Sequence, residues 1–166
     1  MTREWMAKTF IVLGIVALLV SISVPYWKLR VVAPQYPKGL VLVIHLNKVS
    51  GDVQEINILN HYIGMRHIDK AARIERKFAI PGMVIVVFGL LAALFFRKRW
   101  SFWFALPTLL FPLIFATDLY WWLRDSGLNL NPKAAFSSSI KPFIPPLLGH
   151  GKIAQFQAFA QFDYGF

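Results

Sequence analysis

Two histidines and a methionine fall close together in the segment Gly51-Asp52-Val53-Gln54-Glu55-Ile56-Asn57-Ile58-Leu59-Asn60-His61-Tyr62-Ile63-Gly64-Met65-Arg66-His67. Imidazole with thioether is a soft donor set suited to Cu(I), and it needs no cysteine. If the segment is helical, His61 and Met65 stand four residues apart and share a face, with His67 two residues further on. The metal expectation is therefore Cu(I) at His61, Met65 and His67. The competing reading of the same residues is structural, with Met65 packed in a core and His61 bonded to a carbonyl or stacked on a ring. Nothing in the sequence brings His45 or His150 to this segment. Asp118 is the other residue with chemical potential, because it is the one acid inside a long apolar block. An ionisable group at membrane depth suggests a proton relay or a buried ion pair. Since Asp118 stands near the end of its block, the plain alternative is a carboxylate reaching out to the interface or pairing with Arg124.

Several chemistries are excluded or lack a motif. The chain has no Cys, which removes disulfides, thiolate metal sites and Cys-ligated iron–sulfur clusters. There is no nucleophile elbow, P-loop, H-E-x-x-H or dinucleotide fingerprint. No His lies in an apolar block, so a haem held between membrane helices is not expected. The sequence thus reads as non-enzymatic, with no required cofactor. Of its 166 residues, 57% are hydrophobic and only 16% charged, against about 25% charged in ordinary soluble domains. The net charge is +10. Without a nucleic-acid-binding motif, that charge is better explained by Lys and Arg meeting lipid head groups, and no nucleic-acid partner is expected.

The apolar residues form three blocks. The first gives a helix from about Trp5 to Trp27, long enough to cross the ~30 Å hydrocarbon core at ~1.5 Å per residue. It reads as a retained anchor rather than a cleaved signal peptide, since no A-x-A site is present and Pro25 crowds the end. The second runs from Ile80 to Phe96, with Pro81 in its first turn and Gly82 and Gly89 available for close helix contact. The third runs from Trp100 to Leu123. Trp100 and Trp103 mark one end, and Tyr120, Trp121 and Trp122 the other, as interfacial aromatic girdles do. Pro107 and Pro112 should kink it. Arg97-Lys98-Arg99 joins the last two blocks into a hairpin.

The intervening loop has its own pattern. Leu40 to Leu46 reads as a strand. Ser50-Gly51-Asp52 is a turn, and Val53 to Leu59 fits either a second strand or a short helix. Asp69 is placed to cap a helix over Lys70 to Phe78. After the third block, Asn129 to Pro146 is rich in Ser, Asn and Pro and reads as extended. Phe156, Phe159 and Phe162 then recur every third residue, which predicts a short amphipathic helix lying on the membrane or a partner. The expected fold is a membrane all-α protein with three transmembrane helices, an extramembrane loop (small β-hairpin plus short helix) and an extended tail ending in an amphipathic segment. The expected divisions are 1–27, first span; 28–79, loop minidomain; 80–123, hairpin of spans; and 124–166, tail.

Ala33-Pro34-Gln35-Tyr36-Pro37-Lys38-Gly39-Leu40, Gly51-Asp52-Val53 and Leu59-Asn60-His61-Tyr62-Ile63-Gly64-Met65 resemble an uncharacterised bacterial membrane family. Pro142-Phe143-Ile144-Pro145-Pro146 and Gly149 to Phe156 are similar to it as well. The likeness lies in the loop and tail, not the spans. That family is associated with copper respiratory enzymes of the nitrous oxide reductase type and their maturation, and its chains continue into another span beyond the equivalent of Tyr164-Gly165-Phe166. The resemblance implies an inner-membrane location, an extracytoplasmic loop and tail, and a link to copper respiration. Charge distribution pulls the other way. Only Arg3, Lys8, Arg97, Lys98 and Arg99 of the 18 Lys and Arg lie on the side opposite the loop, whereas cytoplasmic loops are normally the richer in Lys and Arg.

The leading functional expectation is a non-enzymatic accessory component of a respiratory membrane system that docks a partner or holds Cu(I) through its loop. The alternative is a small structural subunit of a respiratory complex with no metal. A transporter component using Asp118 is a third, lesser reading, because three spans leave little room for a pathway.

Overall fold

The computed structural model describes residues 3–95, 98–153 and 156–166, with side chains from residue 5 and, in the second stretch, from residue 102. Arg97, and the side chains of Arg3, Lys98, Arg99 and Trp100, lie outside the described residues.

Helix α1 covers Arg3–Ser21. It stops well short of Trp27, because a proline disfavours helical backbone in the residue before it and Pro25 stands in the way. The Ser21 hydroxyl turns back to the Leu18 carbonyl at 2.7 Å and accepts the Tyr26 hydroxyl at 2.8 Å. Trp27, expected at the end of a span, instead opens a strand and is fully buried.

Two helices are long and apolar enough to cross a membrane, α3 (Arg73–Ala93) and α4 (Lys98–Leu128), whereas α1, expected as the first span, is a shorter apolar helix over its described side chains. Only 17% and 6% of their most apolar windows are buried. Their exposed faces carry Ile85, Phe88, Leu109, Leu113 and Ile114. An apolar seam joins α1, α3 and α4 through Leu18, Met83 and Leu90, with Ile11, Ile15 and Phe111 beside them. Gly89 lies against the backbone of Phe104 on α4, whereas Gly82 faces open space. Pro81 falls inside α3 rather than in its first turn, because the helix already begins at Arg73. Asp69 does not cap it. Asp69 sits in a single 3-10 turn, Ile68–Lys70, and its carboxylate accepts from Asn57 Nδ2 at 2.8 Å. The residue before α3 is Ala72, held at φ 46°.

The chain is not all-α. It contains a five-stranded antiparallel sheet ordered β3-β2-β1-β5-β4. The loop contributes β1 (Trp27–Ala33), β2 (Tyr36–Ile44) and β3 (Val49–Gly51), and the tail contributes β4 (Gly149–Ile153) and β5 (Phe156–Phe162). Antiparallel pairing of β1 with β5 runs from Trp27↔Phe162 to Val32↔Gln157, so loop and tail form one sheet. The segment Val53–Ile63 is helix α2. It covers the inner sheet face together with the end of α4: Leu29, Val31, Leu42, Ile56, Leu119, Leu123 and Ala158 share one core. At ~1.5 Å per residue α4 exceeds the ~30 Å hydrocarbon thickness, which lets its last turns enter that core.

The expected amphipathic helix near the C-terminus is β5 instead. Phe156, Ala158, Ala160 and Phe162 alternate onto the core face, and Phe159 points the other way, edge-on to His150 at 4.7 Å. Phe156, Phe159 and Phe162 therefore do not form one stripe. The small Ala158 and Ala160 lie almost fully buried beside β1, where a pleated strand fits and a helix does not.

Candidate functional site

The Leu59–Met65 motif is used first to turn the chain. α2 ends at Ile63, and Gly64 adopts φ 85°. A Cβ on Gly64 would lie 2.8 Å from the Asn131 carbonyl oxygen and 2.9 Å from its nitrogen. The Gly64 carbonyl accepts from the Asn131 N–H at 2.8 Å, and the Tyr62 carbonyl from the Phe136 N–H at 3.0 Å, so the tail is fastened to this turn. The buried Asn60 donates to the Arg66 carbonyl at 3.2 Å, and Asn57 accepts from the Ile68 N–H at 2.7 Å. These two amides satisfy backbone groups of the segment that follows the helix.

Ending α2 at Ile63 takes Met65 off the helical face of His61, although His61, Met65 and His67 all line one cleft. Met65 is not at the next turn of the helix. Its side chain is 8% exposed and packs in the core with Leu29, Leu42 and Ile56. His61 is exposed and His67 half-buried. With Met65 they line an open cleft of about 600 Å³, and their ring centroids are 6.2 Å apart with the planes tilted by 59°. The Asp69 carboxylate approaches His67 Nδ1 at 3.8 Å, and Glu75 and Asn131 also line the cleft. Among the described residues, no cluster of three or more His, Cys, Asp or Glu is gathered for a metal. Beside the cleft, Arg66 is ion-paired with Asp125 at 2.6 Å, which ties the turn to the end of α4.

Asp118 lies elsewhere, in a second cavity of about 310 Å³ enclosed by the sheet, the start of α3 and the middle of α4. Apolar side chains dominate its walls, among them Trp27, Leu42, Phe111 and Phe115, and the polar contributors are Asp118, Glu75, Arg76 and His45. Ala71, Ala72, Glu75 and Trp122 line both this cavity and the histidine cleft. Asp118 is exposed rather than paired with Arg124, whose guanidinium lies over the Trp121 ring at 5.7 Å. The sequence signalled only Asp118 here. His45 and Arg76 join it through sheet-to-helix packing that no local spacing encodes.

His45 bonds Ser50 Oγ through Nε2 at 3.1 Å. Burial lowers its pKa, and Lys48 adds to the effect. Burial likewise raises the Tyr26 phenol, with the Ser21 hydrogen bond opposing it in part. Below the sheet, burial would raise Asp163. The Lys28 ammonium at 2.5 Å and the Tyr164 N–H outweigh that and hold its carboxyl below the usual range.

No family model, curated protein or solved structure matches the chain.

Proposed function

We propose that this chain is a non-enzymatic integral membrane accessory protein. Its α1, α3 and α4 cross a bilayer, and its sheet domain docks a partner at one membrane surface. The observation that carries this reading is the joining of loop and tail into one sheet on the inner end of α4. A helix that continues from an apolar, exposed stretch into a folded core holds the domain at a set height and angle over the membrane. The residues of the Leu59–Met65 motif support the reading too, since they fasten the domain together. The respiratory, copper-enzyme setting and the extracytoplasmic face of a bacterial inner membrane are proposed from the resemblance of the loop and tail segments. In that setting the partners are other membrane subunits, and the chain serves as an accessory or small structural component.

A second reading is favoured by one observation, the neighbouring imidazoles of His61 and His67 in one cleft. In it, the cleft holds Cu(I) between two imidazoles, without the Met65 sulfur.

Purification from native membranes in mild detergent, with mass spectrometry of co-purifying chains and elemental analysis, tests both. A larger complex at constant ratio and no copper supports docking alone. About one copper per chain, lost in His61→Ala and His67→Ala but kept in Met65→Leu, supports the second reading. A chain recovered free of any partner and of copper refutes both.

A further inference from the structure

We propose that the outer face of the sheet is the docking surface, and that it takes a protein partner through an acidic patch on that partner. The inference rests on the reading that the sheet domain docks a partner; it adds the surface and the chemistry that surface selects.

Strand alternation builds the face. Leu29 and Val31 of β1 point into the core, so Lys28, Arg30 and Val32 point away from it. The register sets Val41 of β2 on one side of Arg30 and Phe159 of β5 on the other, with His150 of β4 beyond Phe159. In the next row Lys152 of β4 stands beyond Gln157, which is opposite Val32. None of these side chains belongs to either apolar core. A shallow groove of about 650 Å³ runs over β1, β2 and β5 on this side.

Charge distinguishes the face. No carboxylate is among the residues that line the groove. Lys28 is ion-paired with Asp163, whereas among the described residues neither Arg30 nor Lys152 is ion-paired with a carboxylate. Both are exposed. Arg30 is also held in place. It donates through Nη2 to the Lys38 carbonyl at 2.7 Å, and its stem lies over Gly39, where a Cβ would stand 2.7 Å from Nε. A side chain already fixed in this way loses less freedom on binding, and arginine next to an aromatic ring such as Phe159 is a pairing that protein interfaces favour.

The number of free cations sets the kind of partner. Nucleic-acid binding commonly draws on the order of 6–10 phosphate contacts, and anionic lipid surfaces are held by clusters of about 4–8 Lys and Arg. Arg30 and Lys152 reach neither count. Val32, Val41 and Phe159 are half-buried and would not enter lipid, in contrast to the projecting Ile74, Phe78 and Trp121 of α3 and α4. A folded protein surface with a few carboxylates around a small apolar centre complements cations set around Phe159, Val32 and Val41.

The test is carbodiimide coupling of the full chain in native membranes, which joins a lysine amine to a carboxylate in contact with it, followed by mass spectrometry of the joined peptides. The expected result is an amide bond between Lys152 and an Asp or Glu of one other chain, one that co-purifies at constant ratio. Arg30→Glu combined with Lys152→Glu should lower recovery of that chain at least about tenfold, because it sets like charges against each other. Lys133→Glu, exposed on the tail and off the face, should leave recovery unchanged. Should the double variant fail to fold, as read by circular dichroism, acetylation of Lys152 decides on the wild-type chain: slower labelling in the complex than in the chain freed of its partner supports the surface, and equal labelling overturns it. A partner retained by the folded double variant overturns the surface and leaves the docking reading standing, whereas a chain without any protein partner refutes both. Coupling of Lys152 only to other copies of this chain, or its protection by anionic lipid or nucleic acid in place of a protein, also overturns the proposal.

Discussion

Met65 allows the packing role of the motif to be separated from a metal role. Its side chain is 8% exposed and belongs to the domain core, beside a small void of about 40 Å³ lined by Leu29, Ile56, Ile63 and Ile153. Truncation to Ala removes the thioether chain and enlarges that void. Buried Met→Ala changes cost about 2–5 kcal/mol, rising by about 24 cal/mol for each Å³ of residual cavity. The site cannot collapse readily, because the turn at Gly64 and the bonds from Asn60 and Asn57 hold the backbone around it. We therefore expect about 3 kcal/mol for Met65→Ala. For a domain of this size that is roughly 10–20 °C in melting temperature, readable by circular dichroism in detergent. Met65→Leu preserves volume and apolarity and should cost less than about 1.5 kcal/mol. His61→Ala, at an exposed position, should stay within about 0.5 kcal/mol. If Met65→Leu is as damaging as Met65→Ala, or if it abolishes copper binding while stability holds, the packing argument is wrong and the sulfur has a ligand's role.

Other outcomes follow from the same geometry. Gly64→Ala should destabilise by about 2–4 kcal/mol, because it adds left-handed strain of about 1–2 kcal/mol to a clash with the Asn131 backbone; proteolysis should then cut first in the 129–146 segment, and an unchanged melting temperature would refute the assigned turn. Stability should fall on acidification in two stages. His45 has a lowered folded pKa, so its contribution is full above the unfolded value of about 6.5 and declines as pH drops below it. Asp163 also has a depressed folded pKa, and its contribution is present above about 3.9 and lost as pH falls through the folded value. His45→Gln should flatten the first stage and Asp163→Asn the second, whereas a melting temperature that rises from pH 7 to pH 5 would contradict the sign. Leu123→Ala, 3% exposed where α4 enters the sheet core, should cost about 2–5 kcal/mol; a negligible effect would detach α4 from the domain.

Long-range assembly escaped the sequence in identifiable places. The strand over Leu40 to Leu46 was legible because β-branched residues cluster between turn signals, and β2 spans Tyr36–Ile44. The two apolar helices of the hairpin were legible from length and composition, which act locally. The C-terminal segment was misread because Phe156, Phe159 and Phe162 suggest a helical period, while Phe156, Ala158, Ala160 and Phe162 also alternate as a strand does. Choosing between the periods required β1 as a partner, and β1 lies more than 120 residues earlier in the chain. The route by which His61, Met65 and His67 come to line one cleft was not legible for a related reason. Spacing of four puts His61 and Met65 together only while the helix continues, and Gly64 ends it against Asn131, a contact from the tail.

By itself the sequence determined the apolar blocks, the absence of thiol chemistry and the presence of a patterned loop, because each depends on composition or on neighbours within a few residues. Only the tertiary structure decided that loop and tail share one sheet, that Met65 is buried in the core at the edge of the cleft lined by His61 and His67, and that His45, Arg76 and Asp118 line one cavity. Pairing and packing between distant segments follow from which faces can be buried together, and that is a property of the whole chain rather than of any local spacing.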